Sequence, residues 1–224
     1  MTILAAERIA IIGFEALALF AGVLTWKKFK STPVNKFILY LAFIVIAEIT
    51  GNIMVRYKLK EENNILFTYL VIPAEYLFFF YLFYTILKSK WQKRLVIVST
   101  ALLLISMLYE KIFLKDGETY SFESFSYSVS NILLLIIIIA YLISFVRSDQ
   151  ILFYKNNPVF WIALGLLFFY LGSFPLFAMY HYLWALDKKL FLTYWHVVFV
   201  LNCIMYCLFS ISFLWGRPGL IYSL

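Results

Sequence analysis

Three carboxyls, Glu15, Glu48 and Glu75, sit inside stretches of sequence that are otherwise apolar. A carboxyl in such a place can hold a proton, accept hydrogen bonds or bind a cation. Ionised near the centre of a bilayer it costs about 2.5 kcal/mol or more, so it must face a pocket, a pathway or a partner group rather than lipid. Glu48 and Asn52 are spaced i, i+4 with Gly51 beside them, which on a helix makes one stripe of carboxylate, amide and small residue. Counting about 1.5 Å of rise per residue, Glu15, Glu48 and Glu75 share a depth band, and Asn131, Ser173, His196 and Asn202 fall in the same outer half. Ala18 and Gly22 lie on the face of Glu15 and let a neighbouring helix come close. Asn131 follows Tyr127 and Ser128 on one face, and Asn202 pairs with Tyr206 at i, i+4.

With no Lys or Arg expected at their depth, the three carboxyls suit a proton, a metal ion or a cationic ligand. The plainer alternative is a hydrogen-bond network that only specifies helix packing. Tyr69, Tyr76, Tyr81, Tyr84, Tyr170 and Tyr180 can add cation–π walls, although aromatics at helix ends also anchor helices at the membrane interface. Catalytic patterns are missing. His196 and His181 form neither H-x-x-x-H nor H-E-x-x-H, so no zinc hydrolase site is expected, and His181 is expected at the outer surface. Ser173 lies inside a helix without a Gly-x-Ser-x-Gly turn, which disfavours serine hydrolysis with His196. The last apolar segment has no lysine for a retinal Schiff base. Cys203 and Cys207 stand a full turn apart on one helix, too far along it for a disulfide, and read as small buried side chains. No catalytic residue, metal site or cofactor is assigned.

The elements that must position these residues follow from composition. Of 224 residues, 64% are hydrophobic, 21% aromatic and 14% charged, with mean hydropathy +0.90; soluble domains carry about 25% charged residues. The expectation is an all-α, polytopic membrane protein. The net charge of +7 does not point to nucleic acid, because the basic residues punctuate apolar runs rather than forming one stripe. Seven apolar segments, approximately 3–25, 37–56, 65–87, 95–113, 124–146, 159–182 and 191–214, each approach the ~20 residues needed to cross a bilayer. They make one seven-helix transmembrane domain over 1–224. Glu7 precedes Arg8 and no small-residue cleavage pattern follows, so the first segment is expected to be retained as a helix. Pro33 and Pro158 suit helix starts, whereas Pro73 and Pro175 should kink the third and sixth helices. The fourth segment, with only Ser99, Thr100 and Ser106 as polar residues, is expected at the periphery.

The loops holding Lys27, Lys28, Lys30, Lys36, Lys88, Lys90, Lys93, Arg94, Arg147, Lys155 and Arg217 outweigh those holding Arg8, Arg56, Lys58, Lys60, Lys111, Lys115, Lys188 and Lys189. The positive-inside rule then puts the N-terminus out and the C-terminus in, and the expected location is the inner (plasma) membrane. Glu61, Glu62, Asp116, Glu118, Glu123 and Asp187 gather on the outer side. A transporter-like repeat finds little footing: the second and sixth segments both follow Pro-Val and carry Gly51-Asn52 and Gly172-Ser173. Their alignment needs a four-residue offset, and none of the five prolines is followed by the Gln that marks sugar-efflux transporters. Asn202-Cys203-Ile204-Met205-Tyr206 has the spacing of the receptor Asn-Pro-x-x-Tyr motif without its proline.

Pro73-Ala74-Glu75-Tyr76-Leu77-Phe78-Phe79-Phe80 resembles the Pro-x-Glu-Glu-x-x-Phe-Phe stretch of membrane-bound carotenoid cyclases, with Tyr76 in place of the second acid. Over more of the chain, Glu48-x-x-x-Asn52, Glu75-x-x-Phe78-Phe79-Phe80, Ser130-Asn131-Ile132-Leu133-Leu134 and Asn157-Pro158-Val159-Phe160-Trp161-Ile162 are similar to small seven-helix membrane proteins of Bacteroidota, some of which resemble the membrane parts of sensor kinases. That resemblance implies a fold and a sensor-like setting but no known activity. Together with the polar layer it favours a sensor or receptor-like protein binding a small or cationic ligand in an outer-half pocket lined by Glu48, Asn52, Glu75, Asn131, His196 and Asn202, with Glu15 nearby. Only about ten residues follow the last segment, too few for an output domain of ~50 residues, so signalling would pass to a partner protein. The alternative reading is a proton- or cation-coupled transporter or channel relaying through Glu48 and Glu75; the third is an intramembrane enzyme acting on a lipid or isoprenoid.

Overall fold

The computed structural model describes residues 3–114 and 124–221. Lys115, Asp116, Glu118 and Glu123, counted above among the loop charges, lie outside them, as does the side chain of His181. The described residues form helices joined by short turns, with no strand among them. In chain order these are α1 (Ile3–Leu24), α2 (Pro33–Arg56), α3 (Lys60–Ile86), α4 (Lys90–Tyr109, running on as a wider turn over Glu110–Leu114), α5 (Ser124–Val146), α6 (Pro158–Ala178), α7 (Tyr180–Leu186) and α8 (Lys188–Trp215). Six of them, α2 to α6 and α8, are long and apolar enough to cross a membrane. That is the architecture of an all-helical, multi-pass membrane protein. α1 has comparable length but carries Glu7, Arg8 and Glu15 in its 22 residues and is not among the six. Exposed Ile46, Ile97, Ile105, Leu171 and Val200 sit on four different helices, a greasy outer surface that suits lipid and not water.

Several helix ends are set by local chemistry. Pro33 and Pro158 occupy first-turn positions of α2 and α6, where the missing N–H would have no partner in any case. Asn157 caps α6, its Oδ1 accepting from Val159 N at 2.9 Å and Phe160 N at 3.1 Å. Its Nδ2 donates to Gln150 Oε1 and to Leu220 O, both at 3.0 Å, so one amide also fastens the segment after α8. The Glu110 carboxylate accepts from Phe125 N and Ser126 N at 3.2 and 2.6 Å and from the Ser126 hydroxyl, holding the start of α5 against the end of α4.

The two internal prolines act differently. Pro73 cannot donate to the carbonyl four residues back, and its ring crowds that carbonyl. The strain is absorbed by a π-helical turn over Phe67–Val71, where Ile72 N reaches Phe67 O, within an otherwise continuous α3. In α6, Pro175 is followed four residues later by Met179, which leaves helical geometry (φ −112°, ψ 23°). The expected segment 159–182 is therefore divided, and its end belongs to α7. α3, α4 and α8 begin earlier than their apolar stretches, at Lys60, Lys90 and Lys188, because a helix need not stop where its apolar side chains do.

Helix neighbours follow chain order: α1 packs on α2, α2 on α3, α3 on α4 and α5, α4 on α5, α5 on α6, α6 on α8, and α8 closes on α1. Lys28, in the helical turn Trp26–Phe29 after α1, donates from Nζ to Phe213 O and Leu214 O at 3.2 and 3.3 Å. It thereby satisfies carbonyls left over at the C-terminus of α8 with a cation of the favoured sign. At the other end Glu7 of α1 meets His196 of α8. α1 and α8 thus run side by side in the same direction. Near the Lys28 end the core centres on Phe37, which stacks on Phe78 and Phe213 and meets Phe209 edge-on at 4.9 Å between centroids.

Candidate functional site

At the Glu7 end a cavity of about 590 Å³ lies among α1, α2, α3, α6, α7 and α8. Each helix contributes residues at helical spacing, so one face of each points inward. α1 gives Glu7, Arg8 and Ile11; α2 gives Glu48, Gly51 and Asn52; α3 gives Asn63 and Phe67; α6 gives Phe169 and Phe177; α7 gives Tyr180 and Trp184. α8 supplies a long stripe from Lys188 through Phe191, Leu192, Trp195, Val198 and Phe199 to Asn202. The wall is aromatic, broken by two acids, two bases and three amides.

Gly51 decides how close α2 comes to α3 here. A Cβ at that position would meet Asn63 Oδ1 and Phe67 Cε2, each at 2.6 Å, so only the absence of a side chain lets both residues reach the cavity wall. Phe67 is also the first residue of the π-helical turn. π-turns of this kind recur at functional sites.

The polar atoms of the cavity are unevenly matched. Glu7 Oε1 lies 2.5 Å from His196 Nδ1, whereas Glu7 Oε2, Asn63 Oδ1 and Asn202 Oδ1 are buried without a hydrogen-bond partner among the described residues. Arg8 stands within electrostatic reach of Glu48. The expectation that no Lys or Arg sits among the carboxyls therefore does not hold at Glu48, because α1 carries Arg8, counted among the charges at the outer end of the first segment, into the site.

A second, more closely packed polar layer lies beside the cavity. Glu15, 2% exposed, is within electrostatic reach of Glu48 and Glu75, and the Tyr206 hydroxyl faces it. Glu75 accepts from the Tyr170 hydroxyl at 2.8 Å and has the Tyr40 hydroxyl on another side. Asn131, fully buried, donates from Nδ2 to Tyr170 O at 3.3 Å. Tyr76 packs its ring against Tyr127 and Tyr170, and Ser173 lies beside Tyr127.

Of the residues singled out from the sequence, the structure brings Glu48, Asn52 and Asn202 to the cavity wall. Glu15, Glu75 and Asn131 are placed in the adjoining buried layer, and His196 at the rim through its contact with Glu7, its side chain 45% exposed. Among the described residues no three His, Cys, Asp or Glu side chains converge as metal ligands. Sequence reasoning missed Glu7, Arg8, Asn63, Phe67, Trp184, Lys188 and Trp195. A signal for Glu7 was present: Glu7, Ile11 and Glu15 recur at four-residue steps and share one broad face of α1. No family model matches the chain, and no match was found among curated proteins or solved structures.

Proposed function

We propose that the chain is a seven-span receptor-like protein of the plasma membrane, N-terminus outside and C-terminus inside, that binds a small molecule or cation in the cavity at its outer end and signals through a partner protein. In this reading α1 is the remaining span. Its Glu7 and Arg8 lie near its end at the cavity and its Glu15 turns inward, so none of the three need face hydrocarbon. The Lys- and Arg-rich turns at the Lys28 end are the cytoplasmic ones.

The observation that carries the reading is the contrast between the two ends. A cavity of about 590 Å³, within the range that encloses a drug-sized ligand, lies at one end. The other is filled by Phe37, Phe79, Phe209 and Phe213, each at most 1% exposed. A transporter needs access to its site from both sides, and this packing favours binding at one side over passage. The test is direct, because Trp184 and Trp195 line the cavity. Small amines, amino acids and carboxylates are titrated into purified protein while tryptophan emission is followed, for wild type, Glu48→Gln and Asn202→Ala. Saturable binding that weakens in both variants is expected. Saturable binding that both variants leave untouched would put the site elsewhere, and solute flux in proteoliposomes driven by a pH gradient would replace the receptor with a transporter.

A further inference from the structure

The buried polar atoms of the cavity are acceptors. Glu7 Oε2, Asn63 Oδ1 and Asn202 Oδ1 come from three helices, belong to residues that line the same cavity and have no donor among the described residues. A buried acceptor without a donor costs about 1–3 kcal/mol, so three of them around one cavity are balanced by a ligand that brings N–H or O–H groups. The charged donors on the wall, Arg8 and Lys188, are themselves solvent-exposed and are hydrated where they stand. The body of the cavity is ring-lined, with Trp195 and Phe67 among the rings. Such a wall takes an apolar group and also favours a positive charge over its faces. A bare metal ion fits poorly, because the carboxyls do not converge as ligands.

Resting on the proposed binding role, we infer that the cavity takes an organic ammonium that keeps its N–H groups and is attached to an apolar ring. Its head points at Glu7, Asn63 and Asn202 with Glu48 supplying charge, and its ring lies among the aromatic side chains.

Four probes with one ring and different heads test this: 2-phenylethylamine, its N,N,N-trimethyl analogue, phenylalanine and 3-phenylpropionate, each titrated into the purified full chain by calorimetry at neutral pH. The amine is expected to bind at least about tenfold more tightly than the carboxylate or the trimethyl analogue. Glu7→Gln and Glu48→Gln should each weaken it, while Arg8→Ala, which removes a competing positive charge beside Glu48, should tighten it. Tighter binding of 3-phenylpropionate or phenylalanine, lost in Arg8→Ala, would overturn the ammonium assignment and leave the receptor reading standing. Equal binding of the trimethyl analogue would show that the orphan acceptors are not used and would also overturn it. If none of the four binds at millimolar concentration, the ammonium assignment and the binding role of the cavity both fall. Wild-type thermal unfolding of each variant confirms that lost binding is not lost fold.

Discussion

Glu7 on α1 and His196 on α8, 189 positions apart in sequence, meet at 2.5 Å at the edge of the cavity. The contact joins the first and last long helices at the end where the cavity lies, while Lys28 joins them at the other. The two side chains differ in surroundings: His196 is 45% exposed and Glu7 14%. His196→Ala therefore leaves a mostly buried carboxylate without its partner, whereas Glu7→Gln leaves a half-exposed imidazole that water can serve. His196→Ala is expected to destabilise the protein by about 1–2 kcal/mol, more than Glu7→Gln does. The double variant should recover part of the loss, giving a coupling measurable by thermal unfolding in detergent. Strict additivity would mean that the pair does not interact.

Gly51→Ala tests the approach of α2 to α3. The new methyl meets Asn63 Oδ1 and the Phe67 ring, both ends of side chains rather than backbone, so they are expected to move into the cavity and reduce its volume. Binding of whatever probe the wild type accepts should fall while the melting temperature changes little. A large drop in stability with unchanged binding would show instead that the helices, not the side chains, are displaced.

Lys58 has φ 65°, in the left-handed region. The N–H of Leu59 reaches Met54 O at 2.9 Å and that of Lys58 reaches Val55 O at 3.1 Å, the paired bonds that end a helix around a left-handed residue. A side chain there costs about 1–2 kcal/mol relative to glycine. Lys58→Gly is expected to stabilise the α2–α3 turn by roughly half of that, after the greater freedom of glycine in the unfolded chain is subtracted. Protease resistance at this turn and the melting temperature should both rise; a decrease in either would show that the Lys58 side chain makes a compensating contact.

Asn157→Ala removes two bonds to the α6 N-terminus and two that hold Gln150 and Leu220. A lost cap costs about 1 kcal/mol, and here the tether of the segment after α8 goes with it. The expected loss exceeds that of a simple cap. Hydrogen exchange should rise at both Phe160 and Ile221; a rise at Phe160 alone would separate the cap from the tether.

What the sequence determined by itself was local. Apolar runs longer than a soluble core needs, Pro33 and Pro158 at first-turn positions, and the Asn157-Pro158 cap all act within a few residues, so helix places and the starts of α2 and α6 were legible. So was the common face of Glu48, Gly51 and Asn52, because i, i+4 spacing holds whatever surrounds the helix. Depth, counted along each segment, brought Glu15, Glu48 and Glu75 to one level, and in the structure Glu15 lies within electrostatic reach of the other two.

Only the tertiary structure decided which polar groups share a space. Helices apolar on nearly every side carry no pattern that says how each is rotated, and residues at equal depth can face different neighbours. Glu75 and Asn131 turn to Tyr170 while Asn202 turns to the cavity. Arg8 counts among the charges at the outer end of the first segment until α1 is set against α2, which brings it within reach of Glu48. The consequence of Pro73 was likewise undetermined: a kink relieves the crowded carbonyl, and so does a widened turn, and the wider turn that forms begins at Phe67, which lines the cavity.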